Sequence, residues 1–181
     1  MRRPNGFLTA ALSLTTLLAL SSSHAWDPAE LDDAKAKGQV TVDALLESSP
    51  DMQRYFDAAA GYVVIPTVGK AGFGIGGARG KGLLYENGDP TAEVTMTQLS
   101  IGLQAGGQAY SEFIFFEDSK SLEQFKKGNY ELGAQASAVA ITAGASADAG
   151  YESGVAIFTY AKGGLMYEAS VGGQKFKVES L

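Results

Sequence analysis

The sequence contains no cysteine, and its only histidine is His24. Without cysteine the chain forms no disulfide and has no thiolate nucleophile, and it lacks the residue that carries the acyl chains of a bacterial lipoprotein. His24 precedes the cleavage site predicted below, so the remaining chain also lacks the commonest general base and the usual zinc and copper ligands. These absences exclude a Ser-His-Asp triad and argue against most classes of enzyme.

Two motifs resemble catalytic or nucleotide-binding sites, and both are incomplete. Residues 144–148, Gly-Ala-Ser-Ala-Asp, lack the last glycine of a nucleophile elbow. Residues 72–77 satisfy G-x-G-x-x-G, but Ala-Arg-Gly-Lys-Gly at 78–82 will not form the helix that a dinucleotide site needs. A glycine-rich strand packed close to another element is the preferred interpretation. We therefore predict no enzymatic activity and no cofactor. The carboxylates that a hydrolase could use show no spacing that selects a pair: Glu112, Glu117, Asp118 and Asp148.

The first 25 residues have the pattern of a cleavable export signal. Two arginines precede an uncharged run of 14 residues, Phe7 to Leu20, and Ser23-His24-Ala25 places small residues before a cut after Ala25. A helix that spans a bilayer needs about 20 apolar residues, so a retained membrane anchor is the weaker alternative. We expect residues 26–181 to form a single domain in the periplasm or outside the cell.

The predicted mature chain is acidic, with 12 basic and 20 acidic residues and a net charge of −8. This balance argues against nucleic acid as a partner, because nucleic-acid binding depends on clustered positive charge. Residues 61–85 nevertheless carry three bases and no acid. The segment is either one solvated part of an uneven surface or a local basic site.

Residues 26–60 are predicted to be helical. Asp27 and Pro28 fit the N-cap and first position of a helix that we expect to stop at Gly38. A second short helix is predicted over 42–47. A third is predicted from Ser49 to about Ala60, closed by a glycine at position 61.

Residues 61–181 are predicted to be glycine-rich β structure, since 21 of the 22 glycines after residue 25 lie between positions 61 and 173. Residues 87–90, Asn-Gly-Asp-Pro, indicate a turn, and dense turn signals between short strands favour an antiparallel meander or barrel. One inserted helix should begin at Asp118 or Ser119 and end at Gly128. The strands expected before that helix are Tyr62–Ile65, Gly72–Ala78, Gly82–Glu86, Glu93–Thr97, Ser100–Ala105 and Ala109–Glu117.

Two further segments leave alternatives open. In the alanine-rich stretch 130–150 the apolar positions change from even to odd, which favours two strands, or one with a bulge near Val139–Ile141, over a helix. The run Phe113-Ile114-Phe115-Phe116 is typical of a strand buried on both faces, with a membrane wedge as the alternative.

An internal similarity links two segments at a constant offset. Residues 63–73 share with residues 155–165 the pattern of a β-branched pair, a threonine and a lysine next to glycine or alanine. We predict that Lys70 and Lys162 lie at equivalent turns of two similar β units.

The stretches 61–82, 128–140 and 161–176 resemble the SYLF domain family in order along nearly the whole predicted mature chain. The shared motifs are glycine patterns with fixed lysines, and Lys70 and Lys162 stand at matching positions. The resemblance implies a non-catalytic domain that binds anionic phospholipid, notably phosphoinositides, and in yeast members actin. An exported, acidic chain without an SH3 or FYVE module argues against actin as the partner here.

These observations together predict an α+β domain, with N-terminal helices packed on an antiparallel, barrel-like or sandwich β-sheet. The expected function is binding of phospholipid or another amphiphile outside the cytoplasm, with a protein-interaction or envelope-structural role as the alternative. Glycines near the bases would let phosphate oxygens approach the backbone. The candidate headgroup-binding residues are Lys70, Arg79, Lys81, Lys162, Lys175 and Lys177.

Overall fold

The computed structural model of the protein describes residues 27–133, 137–141, 150–161 and 169–181. Helices lie against a mostly antiparallel sheet that curls into a half-barrel, which confirms the predicted α+β class. The elements are α1 (Pro28–Ser48), a 3-10 turn (Pro50–Met52), α2 (Gln53–Ala58), β1 (Gly61–Glu86), β2 (Asp89–Phe116), α3 (Ser119–Lys126), β3 (Tyr130–Glu131), β4 (Ser137–Ile141), β5 (Val155–Ala161), β6 (Ala169–Ser170) and β7 (Lys175–Ser180).

A single long hairpin, β1 and β2, replaces the six short strands expected before α3. The predicted turn is confirmed, because Asn87 and Gly88 both have positive φ, 53° and 87°, as a tight hairpin turn requires. The other glycines that were interpreted as turns lie within β1 and β2, which pair from end to end with three register shifts. The prediction of a turn at Lys70 is therefore wrong: this residue lies inside β1 opposite Gln108, after a bulge between Ile65 and Val68.

Glycines in β1 let the hairpin fold back on itself. A Cβ at Gly82 would meet the Val64 carbonyl oxygen and stand 2.8 Å from the Ile65 Cα. A Cβ at Gly80 would stand 2.6 Å from Ile65 Cγ2. A glycine-rich strand thus packs closely at Gly80 and Gly82, directly after the 72–77 motif for which such packing was expected, and its partner is the first half of the same strand.

The first two predicted helices are one. Helix α1 begins at the predicted Asp27 cap, whose side chain accepts a hydrogen bond from the Ala29 amide, and continues through Gly38 to Ser48. Gly38 lies inside the helix, where it allows α1 to pack closely against Tyr85 of β1. A Cβ at this position would stand 2.7 Å from the Tyr85 hydroxyl oxygen. The third predicted helix ends early, at Ala58, and Gly61 begins β1 instead of closing a helix.

Helix α3 forms as predicted. Asp118 accepts a hydrogen bond from the Ser121 amide at 2.8 Å in a capping box, and Gly128 with φ 77° follows the helix. Leu122 and Phe125 form its buried face. The signals for this helix are local, so the sequence suffices to locate it.

Strand β2 is the centre of the sheet. Its first half pairs with β7 and its second half with β5, and β1 pairs with it along its other edge. The expectation of purely antiparallel pairing is wrong at one place, because β4 pairs parallel with β5. The residues from 142 to 154 between these strands are enough for a crossover, which takes about a dozen residues. The bulge expected near Val139–Ile141 is absent, since these three residues pair regularly with β5; residues 142–149 lie outside the described part.

The sheet separates two hydrophobic cores. Inside the curl lie Ile114 and Phe116, and on the other face Phe113 and Phe115 pack against α1 and α2. All four side chains of this run are at most 1% exposed. The strand buried on both faces is confirmed, and a membrane wedge at this run is excluded.

The internal similarity corresponds to two strands that flank β2. Val63 in β1 and Ile157 in β5 both pair with Ile114, and both side chains belong to the inner core. Lys162 and the rest of the second unit lie outside the described residues, so the equivalence of the two lysines stays a prediction.

Candidate anion-binding surface

Four of the six candidate bases lie on one face of the sheet. Arg79 of β1 and Lys175 of β7 are the neighbours of Thr97 on its two sides in β2. Two residues away, Lys81 and Lys177 flank Thr95 in the same way. Because side chains two apart on a strand point to the same face, these side chains form one surface. We call it the basic surface: Arg79, Lys81, Thr95, Thr97, Lys175 and Lys177.

Lys70 does not join the basic surface. Gly69 and Ala71, its neighbours in β1, line a cleft beside Arg79, and strand alternation directs the side chain of Lys70 to the opposite face. Lys162 lies outside the described residues. The structure thus brings together the bases of β1 and β7 and leaves out the Lys70 predicted from the family pattern.

Three lysines of the basic surface have acidic neighbours. Lys81 approaches Glu93 at 3.0 Å, Lys177 approaches Glu179 at 2.9 Å, and Lys175 approaches Glu131 at 3.5 Å. These lysine side chains are 61–68% exposed, and the exposed pairs of Lys175 and Lys177 contribute at most about 1 kcal/mol each, so a phosphate can compete for these two lysines. Lys81 is held more firmly, because the side chain of its partner Glu93 is only 10% exposed. Within the described part of the chain, Arg79 has no acidic partner.

The Arg79 end of the basic surface opens into a cleft of about 470 Å³. The cleft contains Arg79, Lys175 and Leu99, which follows Thr97 by two residues and is 86% exposed. Glycines at 77 and 173 keep the space between them open, and Gly173 has φ 76° at its turn. Two cations and an exposed aliphatic side chain therefore face the same cleft.

The opposite end of the surface, at Lys81, borders a cleft of different character. This cleft lies between α1 and β1 and is lined by acidic Glu30, Asp33 and Glu93 in addition to Lys37 and Lys81. Lys37 is already paired with Asp33 at 2.6 Å. Acids outnumber bases here, so an anion is favoured at the Arg79 end and disfavoured at the Lys81 end.

A cluster of buried polar groups lies inside the half-barrel. Glu112 is fully buried, and its Oε2 accepts a hydrogen bond of 2.9 Å from Nε2 of Gln174. Burial raises the pKa of Glu112 from 4.5 to about 7, against the opposing effect of the Gln174 bond. Burial and the nearby Glu112 also raise the pKa of Tyr110.

Sequence reasoning noted Glu112 only as an unpaired carboxylate. The sequence could have indicated its burial through its position in the strand. Glu112 is an even number of residues from Tyr110, Ile114 and Phe116, which all face the inner core, so its side chain points into the same core. The partner Gln174 is 62 positions away, and no local pattern identifies it.

Among the helices in the part of the chain that the structure describes, none is long and apolar enough to span a membrane. The same residues contain no group of three or more histidine, cysteine, aspartate or glutamate side chains placed to hold a metal ion.

Comparison with known proteins supports the resemblance seen in the sequence. Residues 97–180 match the family model Ysc84, described as "Las17-binding protein actin regulator". The chain is 28% identical over 137 residues to "Beta cell expansion factor A" of Aeromonas veronii, an alignment that covers 75% of this chain. The chain spans about half the length of that relative, 52%. Residues 97–180, which hold most of β2 and all of β3 to β7, are thus similar to the Ysc84 (SYLF) family, as the sequence motifs indicated.

Proposed function

We propose that this domain binds anionic phospholipid, or a similar amphiphile, at the Arg79 end of the basic surface, without catalysing a reaction. The observation that carries the proposal is the cleft in which Arg79 and Lys175 flank Thr97 beside the exposed Leu99. The match of residues 97–180 to the Ysc84 family model supports a lipid-binding or protein-interaction domain in general. The export pattern of residues 1–25 supports binding outside the cytoplasm.

The two cations suit the headgroup. A guanidinium donates two parallel hydrogen bonds to phosphate oxygens, and Lys175 adds a second positive charge across the strand. The Thr97 hydroxyl between them is a further donor. Among the described residues Arg79 has no acidic partner, so no ion pair must break before it binds a phosphate. It should therefore make the first contact with the headgroup.

The apolar part of the ligand has a matching contact. Leu99 lies on the same face as Thr97, so an acyl chain that leaves a headgroup on Arg79 can cover this side chain. Burying one leucine side chain contributes roughly 2 kcal/mol. An inorganic anion cannot make this contact, so the site should prefer an amphiphile to free phosphate.

The net charge limits the strength of binding. A chain of net −8 is repelled by an anionic membrane at long range, and salt screens this repulsion beyond about 8 Å. Each base at the membrane surface contributes about 1 kcal/mol. Binding should therefore be short-ranged, modest and dependent on the few bases that touch the headgroups.

Liposome co-sedimentation tests the proposal. The purified protein should pellet with vesicles containing phosphatidylglycerol and stay in solution with pure phosphatidylcholine. Arg79→Glu with Lys175→Glu should lower the partition coefficient at least about thirtyfold, since two contacts of about 1 kcal/mol each are lost. Leu99→Ser should weaken vesicle binding in the same direction.

A matched control separates the site from net charge. Lys120→Glu with Lys127→Glu changes two exposed lysines of the α3 region and alters the net charge by the same amount. This control should bind much more tightly than the Arg79/Lys175 variant. Equal loss in both variants would reject the site, and no pelleting of the wild-type protein would reject lipid binding and favour the protein-interaction role.

A further inference from the structure

The carboxyl group of Glu112 is buried with too few hydrogen-bond partners. One oxygen accepts the Gln174 bond, while Oε1 has no hydrogen-bond partner in the described part of the molecule. The Thr159 hydroxyl, opposite Glu112 in β5, and Oε1 of Gln174 are likewise buried without partners there. An ionised carboxylate in this setting is costly, whereas a protonated one can donate to a neighbouring oxygen.

No described base compensates a charge on Glu112. From β1 it is faced by Ile65, from β5 by Thr159, from its own strand by the phenol of Tyr110, and from the segment before β7 by Gln174. Tyr110 is the only titratable group among these, and its raised pKa keeps it neutral at physiological pH. The closed structure therefore favours the protonated form of Glu112.

The Gln174 bond connects Glu112 to a short turn, residues 171–174. Within the turn, the backbone N–H of Gln174 donates to the Val171 carbonyl, and two further backbone hydrogen bonds join the turn to Leu132. The side-chain amide of Gln98 donates to the Gly172 carbonyl. On its other sides Glu112 is enclosed by β1 and β5, both paired with β2. The β1 ladder has a bulge between Ile65 and Val68, where the Ser111 hydroxyl donates to the Pro66 carbonyl. Water reaches an ionised Glu112 at the lowest cost by displacing this turn, because fewer hydrogen bonds must break.

We propose that Glu112 is a proton-dependent latch: protonated, it holds the turn 171–174 against the sheet, and ionised, it releases it. Lys175 follows Gln174 directly and begins β7, so release of the turn also displaces one of the two cations of the Arg79 cleft. This second step rests on the proposed lipid function. Proton loss then weakens the anion-binding surface from inside the molecule.

The pH range follows from the direction of the pKa change. Closed, Glu112 titrates near pH 7, and hydrated in the open form it returns to about 4.5. The closed form thus keeps a proton that the open form gives up, and the opening equilibrium rises about sixfold per pH unit between pH 5 and 7 before it levels off. The latch is closed in acid and loosens toward neutral and alkaline pH.

Hydrogen exchange measured at pH 5 and pH 8, corrected for intrinsic exchange rates, tests the latch without any lipid. Protection of the amides at 171–176 should fall by about 70-fold in the wild-type protein and by less than about threefold in Glu112→Gln. The glutamine keeps the shape of a protonated glutamate and cannot ionise. Gln174→Met provides a second variant, in which the turn should be poorly protected at both pH values.

Three outcomes overturn the latch. The wild-type turn could be equally protected at both pH values, or Glu112→Gln could lose protection as the wild type does. Protection could also fall equally at 110–116 and 155–161, which would show that ionisation loosens the whole sheet and not the turn.

Vesicle binding at pH 8 then tests the regulatory step. Glu112→Gln should bind phosphatidylglycerol vesicles more tightly than the wild-type protein at pH 8 and equally at pH 5. Equal binding at pH 8 would reject control of the surface. Absence of vesicle binding at every pH would reject the proposed function, while hydrogen exchange would still decide the latch.

Discussion

Gly82→Ala should severely destabilise the folded hairpin. The added Cβ would stand 2.8 Å from the Ile65 Cα and closer still to the Val64 carbonyl oxygen. Carbon atoms in contact need about 3.5 Å, so two backbone segments must separate by at least about 0.7 Å. Because neither neighbour is a flexible side chain, we expect a loss of about 3 kcal/mol in the free energy of unfolding, the upper end of overpacking effects. A domain of this size has roughly 5–15 kcal/mol in total.

Two other glycines of β1 provide a graded comparison. At Gly80 the new Cβ would meet the side-chain methyl groups of Ile65 and Val68, at 2.6 and 3.0 Å, which can shift more easily than backbone. The backbone oxygen that it approaches, of Thr67, is 3.1 Å away, farther than the backbone atoms that a Cβ at Gly82 would meet. At Gly69 no atom lies within 4 Å of the added Cβ. Gly69→Ala should therefore be neutral or stabilise the protein by up to about 1 kcal/mol, because alanine has less freedom than glycine to lose on folding.

Urea unfolding followed by circular dichroism, at one fixed pH, measures all three variants. The expected order of stability is Gly69→Ala, then Gly80→Ala, then Gly82→Ala. If Gly82→Ala proves as stable as Gly69→Ala, the folding of β1 onto itself is wrong.

Three further outcomes are expected. The free energy of unfolding of the wild-type protein should fall as pH rises from 4.5 to 7, because the native state holds a proton on Glu112 that the unfolded chain releases. In urea titrations, Glu112→Gln should remove roughly 3 kcal/mol of this pH dependence. Gly88→Ala, at φ 87°, should cost about 1 kcal/mol in the same assay, with Gly69→Ala as its control. Intact-mass measurement of the exported protein should show an N-terminus at Trp26, and a species that keeps residues 1–25 would contradict the export interpretation.

Part of the candidate site could be predicted from the sequence. The bases of the two glycine-rich segments were selected because glycine leaves the backbone open to an anion. Arg79 and Lys81 lie directly beside glycines, and Lys175 and Lys177 follow Gly173 at two and four positions. Lys70 also lies beside a glycine but not at the predicted turn, since a glycine beside a base marks a bend, a bulge or a close contact equally well. Only the pairing of β1 and β7 on either side of β2 selects the bases that share a face.

The sequence by itself determined the features whose signals are local. The cap at Asp118, the turn at Asn87-Gly88 and the buried run 113–116 depend on residues within a few positions of each other. Export and the absence of thiol and imidazole chemistry were likewise predicted from composition and order alone. Each of the structural features forms because nearby side chains and backbone groups satisfy one another.

The tertiary structure decided everything that depends on contacts between distant segments. Gly38 and Gly82 are glycines because Tyr85 and Val64 approach them, and neither partner is visible in the local sequence. Burial of Glu112 against Gln174 and the meeting of Arg79 with Lys175 arise in the same way, from the curl of the sheet. A glycine or a charge has the same local preferences wherever it occurs, and only its distant neighbours decide whether it packs, titrates or binds.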